Sequence, residues 1–118
     1  MLQEFSSDGV RIAFIDVAPE GSDLGEPILL IHGFASTHRI NWVNPRWVDT
    51  LSKAGRRVIA FDNRGHGRSE KLYDPAAYHS TAMARDAANL LDQTLQEEKK
   101  TDALLTKLAD AAVNRKAA

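Results

Sequence analysis

The chain has no cysteine, which excludes disulfides, thiolate metal sites and a cysteine nucleophile, and fits a reducing compartment. It has no surplus of charge either: 15 basic residues stand against 16 acidic ones, a formal net charge of -1. Nothing in that balance points to nucleic acid or to an anionic membrane as a partner. No apolar run approaches the length that spans a bilayer, and the N-terminal stretch MLQEFSSDGV lacks the basic start and apolar core of a signal peptide. Together these absences read as a cytoplasmic chain. Glycine is also absent downstream of Ser69, which removes every glycine-dependent turn from that stretch. What remains is an ordinary globular composition in 118 residues, one domain's worth of chain that buries about two thirds of its unfolded surface.

The first elements are strands. Residues 2–6 and 10–18 flank SSDG, the second run carries an alternating apolar set at Val10, Ile12 and Phe14, and Asp8-Gly9 is a hairpin turn signal. APEGSDLGEP then reads as a surface loop. PILLIHG is a continuous apolar run, the pattern of a strand buried on both faces of a parallel sheet. A helix is expected from about Asn44-Pro45, with Trp47, Val48 and Leu51 on one side and Gly55 as its C-terminal cap. RRVIAFD is a second buried-strand pattern, so residues 28–62 read as a βαβ unit, which closes right-handed. NRGHGRSEKLYDPAAY is a loop, and a helix follows from about Ser80, capped by Ser80 or Thr81, with Met83, Ala87, Leu90, Leu91 and Leu95 on one side. After Gln96 a charged break is expected, then a second amphipathic helix striped by Leu104, Leu105, Leu108 and Ala112. The division is therefore residues 1–96 as a domain and 97–118 as a charged, Ala/Leu/Lys-rich helical tail.

Two motifs follow successive strands in order: His32-Gly33-Phe34-Ala35-Ser36 after the first, and Asp62-x-Arg64-Gly65-x-Gly67-x-Ser69 after the second. With the leading hairpin and the helix TAMARDAANLLD, they resemble the N-terminal half of the α/β-hydrolase fold. The branch is that of esterases, epoxide hydrolases, haloperoxidases and carbon–carbon bond hydrolases. The likeness covers about residues 3–95 and implies a truncated α/β half-fold: an N-terminal hairpin plus a parallel βαβ unit with flanking helices. It further implies that Gly33, Phe34 and Ala35 are the oxyanion and substrate-binding stretch, with the Phe34 N–H as one donor. A preorganised N–H aimed at a tetrahedral oxyanion contributes about 3 kcal/mol. His32, Asp62, Arg64, Gly65, His66, Gly67 and Ser69 become loop-structuring residues beside that site. A nucleotide cradle at Gly65-x-Gly67 fails on detail, because Glu70 stands at the third glycine position and no helix opens directly after it.

The same resemblance demands a nucleophile elbow, Gly-x-Ser-x-Gly or Gly-x-Asp-x-Gly, then an acid and a histidine. With no glycine after Ser69 and no histidine after His79, residues 1–118 carry none of the three, and no catalytic residue is assigned. Gly21-Ser22-Asp23-Leu24-Gly25 matches the elbow by letter but lies before the oxyanion strand, between two prolines, as a surface turn does. Ser36 lies near the expected site, and His38, which can come close to it in the loop, makes with it the Ser/His pair to test. The four histidines show no metal-ligand spacing, and no cofactor is expected. A small-molecule substrate is expected only if the fold is completed. The rival expectation is a shortened, non-catalytic relative that binds itself or a partner chain through an open strand edge.

Overall fold

The computed structural model describes residues 1–117, with side chains to residue 114. Strands β1 (Gln3–Ser7) and β2 (Val10–Val17) form the antiparallel hairpin, with Ser7 opposite Val10. Asp8 and Gly9 both take left-handed φ values, 48° and 83°, the twist a two-residue hairpin turn requires. Strands β3 (Ile28–Ile31) and β4 (Val58–Phe61) pair in parallel, Ile28 beside Val58 and Ile31 beside Phe61. Because β4 also pairs antiparallel with β2, the sheet order is β1-β2-β4-β3. The hairpin and the parallel βαβ unit are those expected, and the β2–β4 pairing joins them into one mixed sheet.

All four residues of β4 are buried, so the strand must be apolar on both faces. Ile59 and Phe61 look one way and join Ile12, Phe14 and Leu90 in the main core. Val58 and Ala60 look the other way, where small Ala13 and Ala60 leave room for helix α1 (Trp47–Lys53) and its buried Val48. β3 is at the sheet's edge. Its residues are only half-buried and Ile31 is 50% exposed, so the expectation of burial on both faces is corrected by the lack of a second neighbouring strand.

α1 starts later than the sequence suggests. Arg46 holds φ at 71°, which blocks helical propagation from Pro45, and a single π-helical turn occupies Arg39–Val43 instead. The buried face of α1 is Val48 and Ser52, while Trp47 in the first turn is half exposed. Its end is as expected: Gly55 (φ 88°) lets the Gly55 N–H reach Ser52 O and the Arg56 N–H reach Leu51 O, both at 3.0 Å, a Schellman cap.

Helix α2 runs unbroken from Ser80 to Ala117. The expected break at Glu97–Lys100 does not occur, because Glu and Lys are strong helix formers and a run of charges marks only a solvated face. Gln93 Nε2 donates to Glu97 Oε1 across one turn. The expected cap is also different: the His79 imidazole, not Ser80 or Thr81, accepts the Ala82 N–H. Leu90 is fully buried and Ala87 packs beside it, but Leu91 and Leu95 are more than a third exposed. Leu104, Leu105 and Leu108 are exposed as well, and the far end of the helix leaves the β3 edge uncovered. Among the described residues no helix is long and apolar enough to cross a membrane.

Candidate functional site

The two motif loops leave the adjacent parallel strands β3 and β4 at the same end, and His32 ties them together. Its Nδ1–H donates to Gly33 O at 2.8 Å, and its Nε2 accepts the Asn63 N–H at 2.9 Å. Asn63 returns the contact by donating from Nδ2 to His32 O. An imidazole accepting at Nε2 must be neutral, and desolvation by burial lowers the His32 pKa accordingly, against the partial support of the Gly33 carbonyl. Acid that protonates Nε2 therefore breaks the bond to Asn63.

Beyond His32 the chain opens to solvent. The Gly33 N–H donates to Asn41 Oδ1 at 2.8 Å, a side chain brought close by the π-helical turn. Phe34 is 99% exposed, Ala35 sits in the left-handed region at φ 54°, and the Phe34 N–H meets no protein acceptor among the described residues. A non-glycine residue with positive φ costs about 1 kcal/mol or more and persists where its surroundings fix it. The backbone thus presents one uncommitted N–H at the strand end, braced on its N-terminal side by two hydrogen-bonded neighbours.

The second loop is wound around Asp62, which is 1% exposed. Its Oδ1 accepts both the backbone N–H and the Nδ1–H of His38, and its Oδ2 accepts the Arg68 N–H, all at 2.8–2.9 Å. Burial alone would raise this carboxyl; the side-chain and backbone donors outweigh burial and hold it at about 2. Gly67 (φ 50°) has no alternative here, since a Cβ would collide with the Asp62 carboxylate. Ser69 closes the loop, donating to Asp62 O at 2.6 Å and accepting the Ala13 N–H at 2.9 Å. Arg64 reaches outward to α2, where Nε and Nη2 grip the two oxygens of Asp86 at 2.7 and 2.8 Å and Nη1 caps Ala77 O. His66 donates from Nδ1 to Arg64 O and lies 5.1 Å from the His32 ring.

Of the residues singled out in the sequence, the structure brings His32, Asp62, Arg64, Gly65, His66, Gly67 and Ser69 into one hydrogen-bonded and packed assembly behind Gly33, Phe34 and Ala35. Ser36 and His38 are not joined: His38 is committed to Asp62, and the buried Ser36 hydroxyl has no partner among the described residues. Asp23 accepts the Gly25 N–H two residues on, the self-closing bond of a surface turn. Sequence reasoning missed Asn41, Asn63, Tyr78, which packs over Gly65, and Asp86. Only Asp86 left a trace, as an acid between Met83 and Leu90 on the apolar face of the helix. Among the described residues no group of three or more His, Asp or Glu side chains comes together as a metal site would need.

A sequence model of the alpha/beta hydrolase fold matches residues 26–100, which contain both loops and most of the helix that Arg64 grips. The chain belongs to the α/β hydrolase fold family. Epoxide hydrolase B of Mycobacterium tuberculosis is 34% identical over 85 residues, 71% of this chain and 22% of that protein. A probable hydrolytic enzyme from Pseudomonas aeruginosa superposes with a TM-score of 0.65 at 32% identity, over 80% of this chain and 29% of that one. A bromoperoxidase from Bacillus anthracis superposes at 0.64 and 27% identity, over 80% and 31%. The chain therefore spans less than a third of the length of each of these relatives and carries a partial α/β hydrolase fold.

Proposed function

We propose that residues 33–35 are the oxyanion side of a hydrolase active site acting on an ester or related small-molecule bond, with nucleophile, acid and general base supplied from outside residues 1–118. The observation that carries this reading is the Phe34 N–H, free of protein acceptors at the end of β3 while the peptide before it is held by Asn41 and His32. Such a donor matters only when negative charge develops on a substrate oxygen, and in a site closed to water it is set in place beforehand at no reorganisation cost. The open edge of β3 beside the site further supports it, since a strand pairing there in parallel would bring its own C-terminal end next to Phe34.

The chain alone is expected to leave a small activated ester such as 4-nitrophenyl acetate at the buffer rate. Ser36 and His38 give no aligned nucleophile–base pair, and a serine without one is a poor nucleophile. Turnover above buffer that disappears in Ser36→Ala or His38→Ala would overturn this part of the reading. Amide hydrogen exchange tests the geometry separately: Gly33 is expected to be protected through Asn41, and Phe34 to exchange at a rate close to that of an open chain. Protection at Phe34 equal to that at Gly33 would mean that its N–H is already spent.

A further inference from the structure

On the α1 side of the sheet, away from Phe34, lies a cavity of about 490 Å³, within the ~300–1,000 Å³ range of small-molecule sites. Ile15 and Val17 of β2, Val43 of the π-helical turn and Val48 of α1 give it aliphatic walls. Its polar lining is entirely basic: His38, Arg39 and Arg68. His38 is 4% exposed, and with Nδ1 spent on Asp62 its Nε2 has no protein hydrogen-bond partner among the described residues. Neither Arg39 nor Arg68 has a carboxylate partner for its guanidinium there. Asp62, the acid bonded to His38, is masked by three N–H donors.

We propose that this cavity binds an amphipathic carboxylate, its hydrocarbon part against the valines and Ile15 and its carboxyl group at His38 and the two arginines. The His38 Nε2, open to solvent and without a protein partner among the described residues, is left available to a ligand group. A carboxyl group pairs with Nε2 through one proton, brought by the acid form of the ligand or taken up from solvent as a carboxylate binds. Asp62 plays the orienting part, holding the ring of this cavity-lining histidine by Nδ1 and leaving Nε2 uncommitted. Guanidinium groups supply the charge and the planar fork that matches a carboxylate. Phe34 does not line this cavity, so the inference is independent of the oxyanion reading.

The test is a titration of the isotope-labelled 118-residue chain with octanoate, and in parallel with 1-octanol, followed by NMR. Octanoate is expected to shift the His38 ring and the Val43 and Val48 methyl signals saturably, with a Kd of about 1 mM or tighter, and to bind about tenfold more tightly than octanol. Arg39→Gln with Arg68→Gln, both at exposed side chains, is expected to abolish that preference while leaving octanol binding and the folded spectrum unchanged. Val17→Phe, which fills the aliphatic wall, is expected to weaken both ligands. Equal affinity for octanoate and octanol, a preference that survives the double arginine replacement, or no saturable shift at these signals would each overturn the proposal.

Discussion

Replacing Asp86 by alanine is expected to remove about 3–5 kcal/mol of stability, because it leaves a buried guanidinium without its counter-ion. Arg64 has 6% of its side chain exposed and Asp86 1%, so water replaces little of what is lost. The hydrogen bonds that Arg64 donates to Asp86 raise the Arg64 pKa above its ordinary value, and the arginine cannot escape by losing its proton. The same carboxylate accepts the buried Ser7 hydroxyl at 2.6 Å. One substitution thus loosens three elements at once: the loop after β4, helix α2 and the start of the hairpin turn. A domain of this size has about 5–15 kcal/mol in total, so the urea midpoint should fall by about a fifth or more. Pairing Arg64→Met with Asp86→Leu should recover most of the loss, since it removes the charge together with its partner. A loss below about 1 kcal/mol in Asp86→Ala would show that α2 is held by Leu90 and its neighbours alone.

That Arg64–Asp86 contact marks the limit of what the sequence could reveal. The strands were legible because burial on two faces leaves only one kind of pattern, the unbroken Val58–Phe61 run, and because Asp8-Gly9 is among the few pairs that tolerate two left-handed residues. The Asp62 loop was legible because Gly67, Ser69 and the acid itself are close in the chain, so their spacing is their geometry. Asn41, Asn63 and Asp86 act across 8, 31 and 22 residues, distances at which spacing says nothing. The π-helical turn that delivers Asn41 breaks the periodicity on which helix reading depends. The long α2 was misread for another reason: Glu97–Lys100 signals water, and water surrounds the far end of this helix without ending it.

Asp62→Ala is expected to cost about 3 kcal/mol at neutral pH, since it strands the backbone N–H and Nδ1–H of His38 and the N–H of Arg68, and each buried donor left unpaired costs about 1–3 kcal/mol. Acid distinguishes this from simple loss of packing. With a folded pKa of about 2 against an ordinary 3.8, the carboxylate's contribution is fully present above about pH 5 and is lost as pH falls towards 2. The unfolded chain takes up its proton first, so stability falls with pH: by about 1 kcal/mol at pH 3 and about 2 kcal/mol at pH 2 from this group. The gap in urea midpoint between the parent chain and Asp62→Ala should therefore narrow by those amounts between pH 5 and the acid limit. Asp62→Asn keeps one acceptor oxygen for His38 but faces Arg68 with a donor or a vacancy, so its neutral-pH loss should be smaller and its gap to Asp62→Ala independent of pH. A parent-to-alanine gap that stays constant from pH 5 to pH 3 would mean that Asp62 binds its proton equally in both states, and that the three donors do not hold its charge.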